Sequence, residues 1–151
     1  MLDHLYMSLA LDEARLAWLA DEIPVGAVAV WRGRVIGRGR NRKEEKLSAL
    51  SHAEMEVIAA ASRWLGNWRL SEVTLYVTLE PCLMCAGALL QARLGRLVYG
   101  CRDPKGGAID SLYRLAEDAR LNHSFPVCSG VFAQEAATLL QDFFRSLRKK
   151  K

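Results

Sequence analysis

The sequence predicts an α/β domain: a three-layer α/β/α sandwich around a central mixed sheet of about five strands. Two observations carry this. Short β-branched runs alternate with longer apolar helical runs, and that alternation requires crossover connections and some parallel strand pairs. No Ser/Gly/Pro-rich linker or internal repeat divides the 151 residues, so a single domain spanning 1–151 is expected.

In chain order, Leu5, Leu9, Leu16 and Leu19 recur at near-helical spacing and predict an amphipathic first helix with acidic residues on its other face, ending towards Pro24. Val25 to Trp31 and Arg34 to Gly39 read as a hairpin turning at Arg32-Gly33. The charged connection from Arg40 to Ser51 is long, and such loops are either functional or simply exposed. His52 to Leu65 reads as a buried helix stopped by Gly66, and Val73 to Leu79 as a strand. Pro81 is expected to open a helix through Arg93, followed by a strand over Leu97 to Cys101. Beyond Gly106, Ser111 to Arg120 looks helical, Val127 to Phe132 strand-like, and Gln134 to Arg148 forms a terminal helix.

Composition narrows the class. Hydrophobic residues make up 51% and charged residues 25%, which is ordinary for a globular protein and excludes a disordered chain. Asp3, Asp12, Glu13 and Arg15 interrupt the Leu/Ala-rich start, so neither a secretory signal nor a membrane span fits there; a cytoplasmic protein with no membrane partner is expected. Four cysteines in that setting point to thiols or metal ligands rather than disulfides. The net charge of +4 does not by itself establish nucleic-acid binding, although Arg145, Arg148 and the closing lysines concentrate it.

Chemistry concentrates in two segments. Ser51-His52-Ala53-Glu54 opens one predicted helix and Glu80-Pro81-Cys82-Leu83-Met84-Cys85 another. One imidazole and two thiolates suit Zn²⁺, and three protein ligands leave a tetrahedral position open for water. Helix N-termini favour thiolates. Two thiolates cancel the ion's formal charge, so the bound water is acidified less than in an all-histidine site and a nearby base is needed. Glu54, two residues after His52, projects beside the metal rather than onto it. Two other readings stay open: helix caps with ordinary buried thiols, or a structural zinc knuckle closed by Cys101 or Cys128.

HxE followed by PCxxC is the signature of zinc nucleobase deaminases. On it, the chain resembles the cytidine-deaminase-like superfamily and, within it, the bacterial tRNA-specific adenosine deaminases. The likeness runs through Ile23-Pro24-Val25-Gly26-Ala27, Asn41, Asn67-Trp68-Arg69-Leu70, Thr78 to Ala88, Asp103-Pro104-Lys105-Gly106-Gly107-Ala108, Leu121-Asn122-His123 and Phe143-Phe144-Arg145. The chain departs from the family at Ala49-Leu50-Ser51, where Asp-Pro-Thr is usual.

The resemblance implies a cytidine-deaminase-like fold and one zinc per subunit of a homodimer. It further implies hydrolytic conversion of wobble adenosine to inosine in a tRNA anticodon stem-loop, with Glu54 as proton shuttle. Asn41 would bind the imidazole side of the flipped adenine, Glu54 its N1, and Asp103 a flanking ribose. Arg102, Lys105, Arg145 and Arg148 are candidates for backbone phosphates. Trp31, Trp68, Tyr99 and Phe144 could stack on bases, but core packing is the commoner explanation for each of them. The same core would serve a deaminase of guanine or deoxycytidylate; a zinc-stabilised RNA-binding module without activity is the reading from another class.

Overall fold

A computed structural model describes residues 2–150. The elements run α1 (Leu2–Leu19), β1 (Gly26–Trp31), β2 (Arg34–Arg40), α2 (Lys43–Lys46), α3 (Ala53–Leu65), β3 (Val73–Leu79), α4 (Leu83–Gln91), β4 (Arg96–Cys101), β5 (Val127–Ser129) and α5 (Ala133–Lys149), with a 3-10 turn at Leu115–Glu117. The five strands lie in the order β2-β1-β3-β4-β5. β1 is antiparallel to β2 and β3, whereas β3, β4 and β5 run parallel. The expected mixed, five-stranded, three-layer architecture is therefore present.

Strand alternation divides the core. Ala27, Ala29, Leu75, Val77, Leu97 and Tyr99 point to one face, where Val57 and Ala61 of α3 and Ala86 and Leu89 of α4 cover them. Val28, Val30, Tyr76 and Val98 point the other way, onto Met7 and Ala10 of α1. Leu11, Cys101 and Ala136 extend that second core under α5. Because β3 and β4 are parallel, α4 must cross between them, and this places its N-terminus at the carboxyl end of β3. Ligands of open α/β sheets bind at that edge.

The structure corrects several expectations. On α1 most of the predicted leucine stripe faces outward: Leu5, Leu16 and Leu19 are exposed and Leu9 alone packs partly on the core, whereas Met7, Ala10, Leu11, Ala14 and Ala17 are buried. The reason is distance. The helix lies so close to β1 that a Cβ on Gly26 would overlap the Ala10 carbonyl and the Ala14 amide, so only a small-residue face fits. Glu13, expected on the solvent face, is buried as well. Inside the charged 40–51 connection lies α2, an element the sequence did not signal. Helix α4 begins at Leu83, with Cys82 as its N-cap, rather than at Pro81, and it ends at Gln91.

Ser111 to Arg120 is not a helix but a loop with one 3-10 turn. The Glu80 carboxylate holds the amides of Ile109, Asp110 and Ser111, and Leu115 N, which a helix from Ser111 would bond to the Ser111 carbonyl, donates instead to Ala108 O at 3.1 Å. The last strand stops at Ser129, since Gly130 and Phe132 adopt left-handed backbone, with φ of 88° and 54°. The hairpin, the Val73–Leu79 strand and the Gly66 stop of α3 occur as expected.

Candidate metal and catalytic site

His52 and Cys82 are the N-cap residues of α3 and α4, and neither spends its side chain on capping. Their extended backbone, with ψ of 155° and 177°, aims both side chains back past the helix start. Cys85, in the first turn of α4, is fully buried. The Cys82 and Cys85 sulfurs lie 3.5 and 3.4 Å from His52 Nδ1. Metal–sulfur and metal–nitrogen bonds of about 2.3 and 2.0 Å at a tetrahedral angle would separate nitrogen and sulfur by roughly 3.6 Å. The spacing fits: the three ligand atoms all lie within 4.8 Å of one another and could hold a metal ion. Among the described residues neither Cys101 nor Cys128 joins the group, which removes the knuckle with a fourth cysteine.

Electrostatics distinguishes the four groups. Hydrogen bonding from the Cys85 thiol, joined by His52, outweighs burial and holds Cys82 down to about 4. Cys85 is pushed well up by that same hydrogen bond, by burial and by the nearby Glu54 carboxyl. His52 is raised, first by its hydrogen bond to Cys82 and against the pull of burial. A metal binds the imidazole and both sulfurs only once their ligand atoms are free of protons. Glu54 is buried, and burial pushes it up to about 7, near the value at which a carboxyl can both accept and release a proton at neutral pH.

A cavity of about 150 Å³ opens onto this group. Ile23, Val25 and Leu79 give it apolar walls, and His52, Glu54 and Cys82 line it on the metal side. Asn41 and Asp103 also line it, from the two flanking loops. The Asn41 amide donates to Ile23 O at 3.3 Å and accepts from Lys43 N at 3.1 Å, which leaves one N–H free. The Asp103 carboxylate accepts from the Lys105 and Gly106 amides, both at 3.2 Å.

The structure thus gathers His52, Cys82, Cys85, Glu54, Asn41 and Asp103. The four basic candidates lie outside the cavity wall. Arg102 and Lys105 are exposed on either side of Asp103, and Arg145 and Arg148 are exposed on α5, where Arg145 pairs with Asp142. Of the candidate stacking residues Tyr99 is buried and bonded to Asp110, whereas Trp68 and Phe144 are exposed and Trp31 packs on Trp64.

Two residues escaped the sequence reading as individual groups. Glu80 and Glu22 are each 2% exposed, and each accepts backbone amides from one loop of the site. For Glu80, burial opposes ionisation, but the Ser111 hydroxyl and the surrounding amides outweigh it and keep the carboxyl low. The available signal was an acid closing an apolar run, Val73 to Leu79, with no basic neighbour in sequence.

Comparison with known proteins agrees with this geometry. Residues 1–148 match the family model of the MafB19-like deaminases. A protein of Bacillus subtilis named tRNA-specific adenosine deaminase is 48% identical over 149 residues, covering 99% of this chain and 92% of that one. One of the same name from Agrobacterium fabrum is 49% identical over 143 residues, or 95% and 94% of the two chains. A solved structure from work on A-to-I editing by tRNA:A34 deaminases superposes with a TM-score of 0.86 at 49% identity, covering 89% of this chain and 98% of the other. The chain therefore belongs to the MafB19-like deaminases and, within them, to the family of the tRNA-specific adenosine deaminases.

Proposed function

We propose that the protein converts adenosine to inosine by hydrolysis at the wobble position of a tRNA anticodon. A single domain would carry the activity, with one zinc ion on His52, Cys82 and Cys85 of each subunit of a homodimer in the cytoplasm. The observation that carries the reading is Glu54: a buried carboxyl, raised to about 7, beside a three-ligand group in a cavity with apolar walls. A merely structural metal site has no use for such a group.

When bound, zinc would supply an acidified water at its open position. Glu54 takes a proton from the attacking water and delivers it to N1 of the adenine as C6 becomes tetrahedral. It then takes the proton of the new C6 hydroxyl and passes it to the amine, so that the C6–N bond breaks, C6=O forms and ammonia leaves. Asn41 offers its free N–H to the imidazole side of the base. Asp103 faces the ribose of a flanking nucleotide from the opposite wall. Arg102 and Lys105, exposed beside the cavity, are placed for backbone phosphates, and Arg145 and Arg148 extend the basic surface along α5. A loop base reaches such a cavity without melting a duplex.

A side-by-side assay with a wobble-adenosine stem-loop, free adenosine, guanine and cytidine tests the substrate. Inosine in the stem-loop, with little turnover of the free compounds, is expected. Turnover confined to guanine or another free base would replace this reading with the free-base one.

A further inference from the structure

Two loops that line the cavity, one through Asn41 and Lys43 and one through Asp103, are each hung on a buried carboxylate. Glu80 Oε1 accepts from Asp103 N at 3.0 Å and from the Ser111 hydroxyl at 2.5 Å. Its Oε2 accepts from the amides of Ile109, Asp110 and Ser111 at 3.1, 2.8 and 2.9 Å. Both ends of the 103–111 loop are therefore tied to one side chain, which leads directly into Pro81 and the ligand Cys82. The approach is so close that a Cβ on Gly107 would fall within the carboxylate. In the other loop, Glu22 accepts from the Glu44 and Glu45 amides at 3.0 and 2.8 Å. Those two bonds fix the first turn of α2, which begins at Lys43 of the cavity wall, two residues after Asn41.

A charged group out of water is costly unless its acceptor sites are filled, so each carboxylate strongly favours the one loop conformation that fills them. Neither carboxylate binds a metal ligand's side chain or is needed to move a proton. We propose that Glu80 and Glu22 are positioning residues: they hold Asp103 and Asn41 at the separation that admits a nucleotide, and so set substrate recognition without touching the reacting atoms. The choice of substrate in this proposal rests on the adenosine reading above; the dependence of the loops on the carboxylates does not.

Three single variants test it: Glu80→Gln, which turns an amide NH₂ towards backbone donors; Gly107→Ala, which displaces an intact Glu80; and Glu22→Gln. Steady-state kinetics on the stem-loop, zinc content and amide hydrogen exchange are measured for each. Each variant should keep its zinc and raise KM about tenfold or more, since displacing a positioning group by an ångström is costly. Exchange should quicken at Ile109, Asp110 and Ser111 in the first two variants and at Glu44 and Glu45 in the third. A role only in stability would lower the active fraction, and with it kcat, while KM stayed where it was. An unchanged KM overturns the assignment for that carboxylate, and so does a raised KM without faster exchange in its loop. If the wild type leaves the stem-loop unmodified, the substrate reading has failed, and the exchange data alone decide whether the loops hang on Glu80 and Glu22.

Discussion

At the scale of single residues, the site is a proton inventory. Cys85 must lose its proton and Cys82 has already lost it, so removing either sulfur leaves too few ligands for a stable site. Cys82→Ala and Cys85→Ala should each lose zinc on dialysis, as measured by metal analysis; full metal content in both would defeat the ligand assignment. Asp3 offers a test away from the site. Hydrogen bonding to Arg96 holds its carboxyl down to about 2, against an ordinary value near 3.8, with the Tyr76 hydroxyl donating a further bond. Because the folded value is depressed, the contribution to stability is complete above about pH 4 and is lost as the pH falls towards 2. Urea midpoints for the wild type and Asp3→Asn should differ at pH 6 and converge at pH 2; a constant difference would show that the carboxylate charge is not the cause. The ligands and Glu54 were legible in the sequence because metal and proton chemistry dictate residue type and local spacing. Glu80 and Glu22 were not, because what identifies them is amides 22 to 31 positions away, brought in by the fold.

At the scale of elements, the lesson of α1 is that periodicity identifies a helix but not its buried face. The leucine stripe and the Met7-Ala10-Ala14-Ala17 stripe both recur at helical spacing, and the closeness of β1 selects the smaller one. Gly26→Ala should therefore destabilise the fold, with an overpacking cost of about 1–3 kcal/mol by chemical denaturation. A change within error would mean that α1 shifts freely on the sheet. The 111–120 segment shows the complementary failure. Its sequence suits a helix, yet Leu115 N donates to Ala108 O, seven positions back, rather than to Ser111 O, while Glu80 pins the start of the segment. Such tertiary overrides leave no mark in local propensity.

At the scale of the whole molecule, the strand order puts the carboxyl end of β3, the starts of α3 and α4 and both flanking loops at one edge of the sheet. That arrangement was legible in outline, since alternating strands and helices dictate crossovers and crossovers place helix N-termini together. The outward leucines and the partly exposed Phe144 and Leu147 of α5 were not, because hydrophobicity alone does not say which apolar residues the core has room for. No helix among the described residues is long and apolar enough to cross a membrane. The matched relatives share this frame over nearly their full length, which leaves the chemistry of the edge as the claim to test.

The most direct test is inosine formation in a wobble-adenosine stem-loop by the wild type and Glu54→Gln at matched zinc content. The amide substitution preserves size and burial but carries no proton between water and base. The proposed chemistry predicts one zinc per chain in both proteins and a fall in kcat of about 10²–10⁴-fold in the variant. Turnover near the wild-type rate in zinc-loaded Glu54→Gln would contradict it.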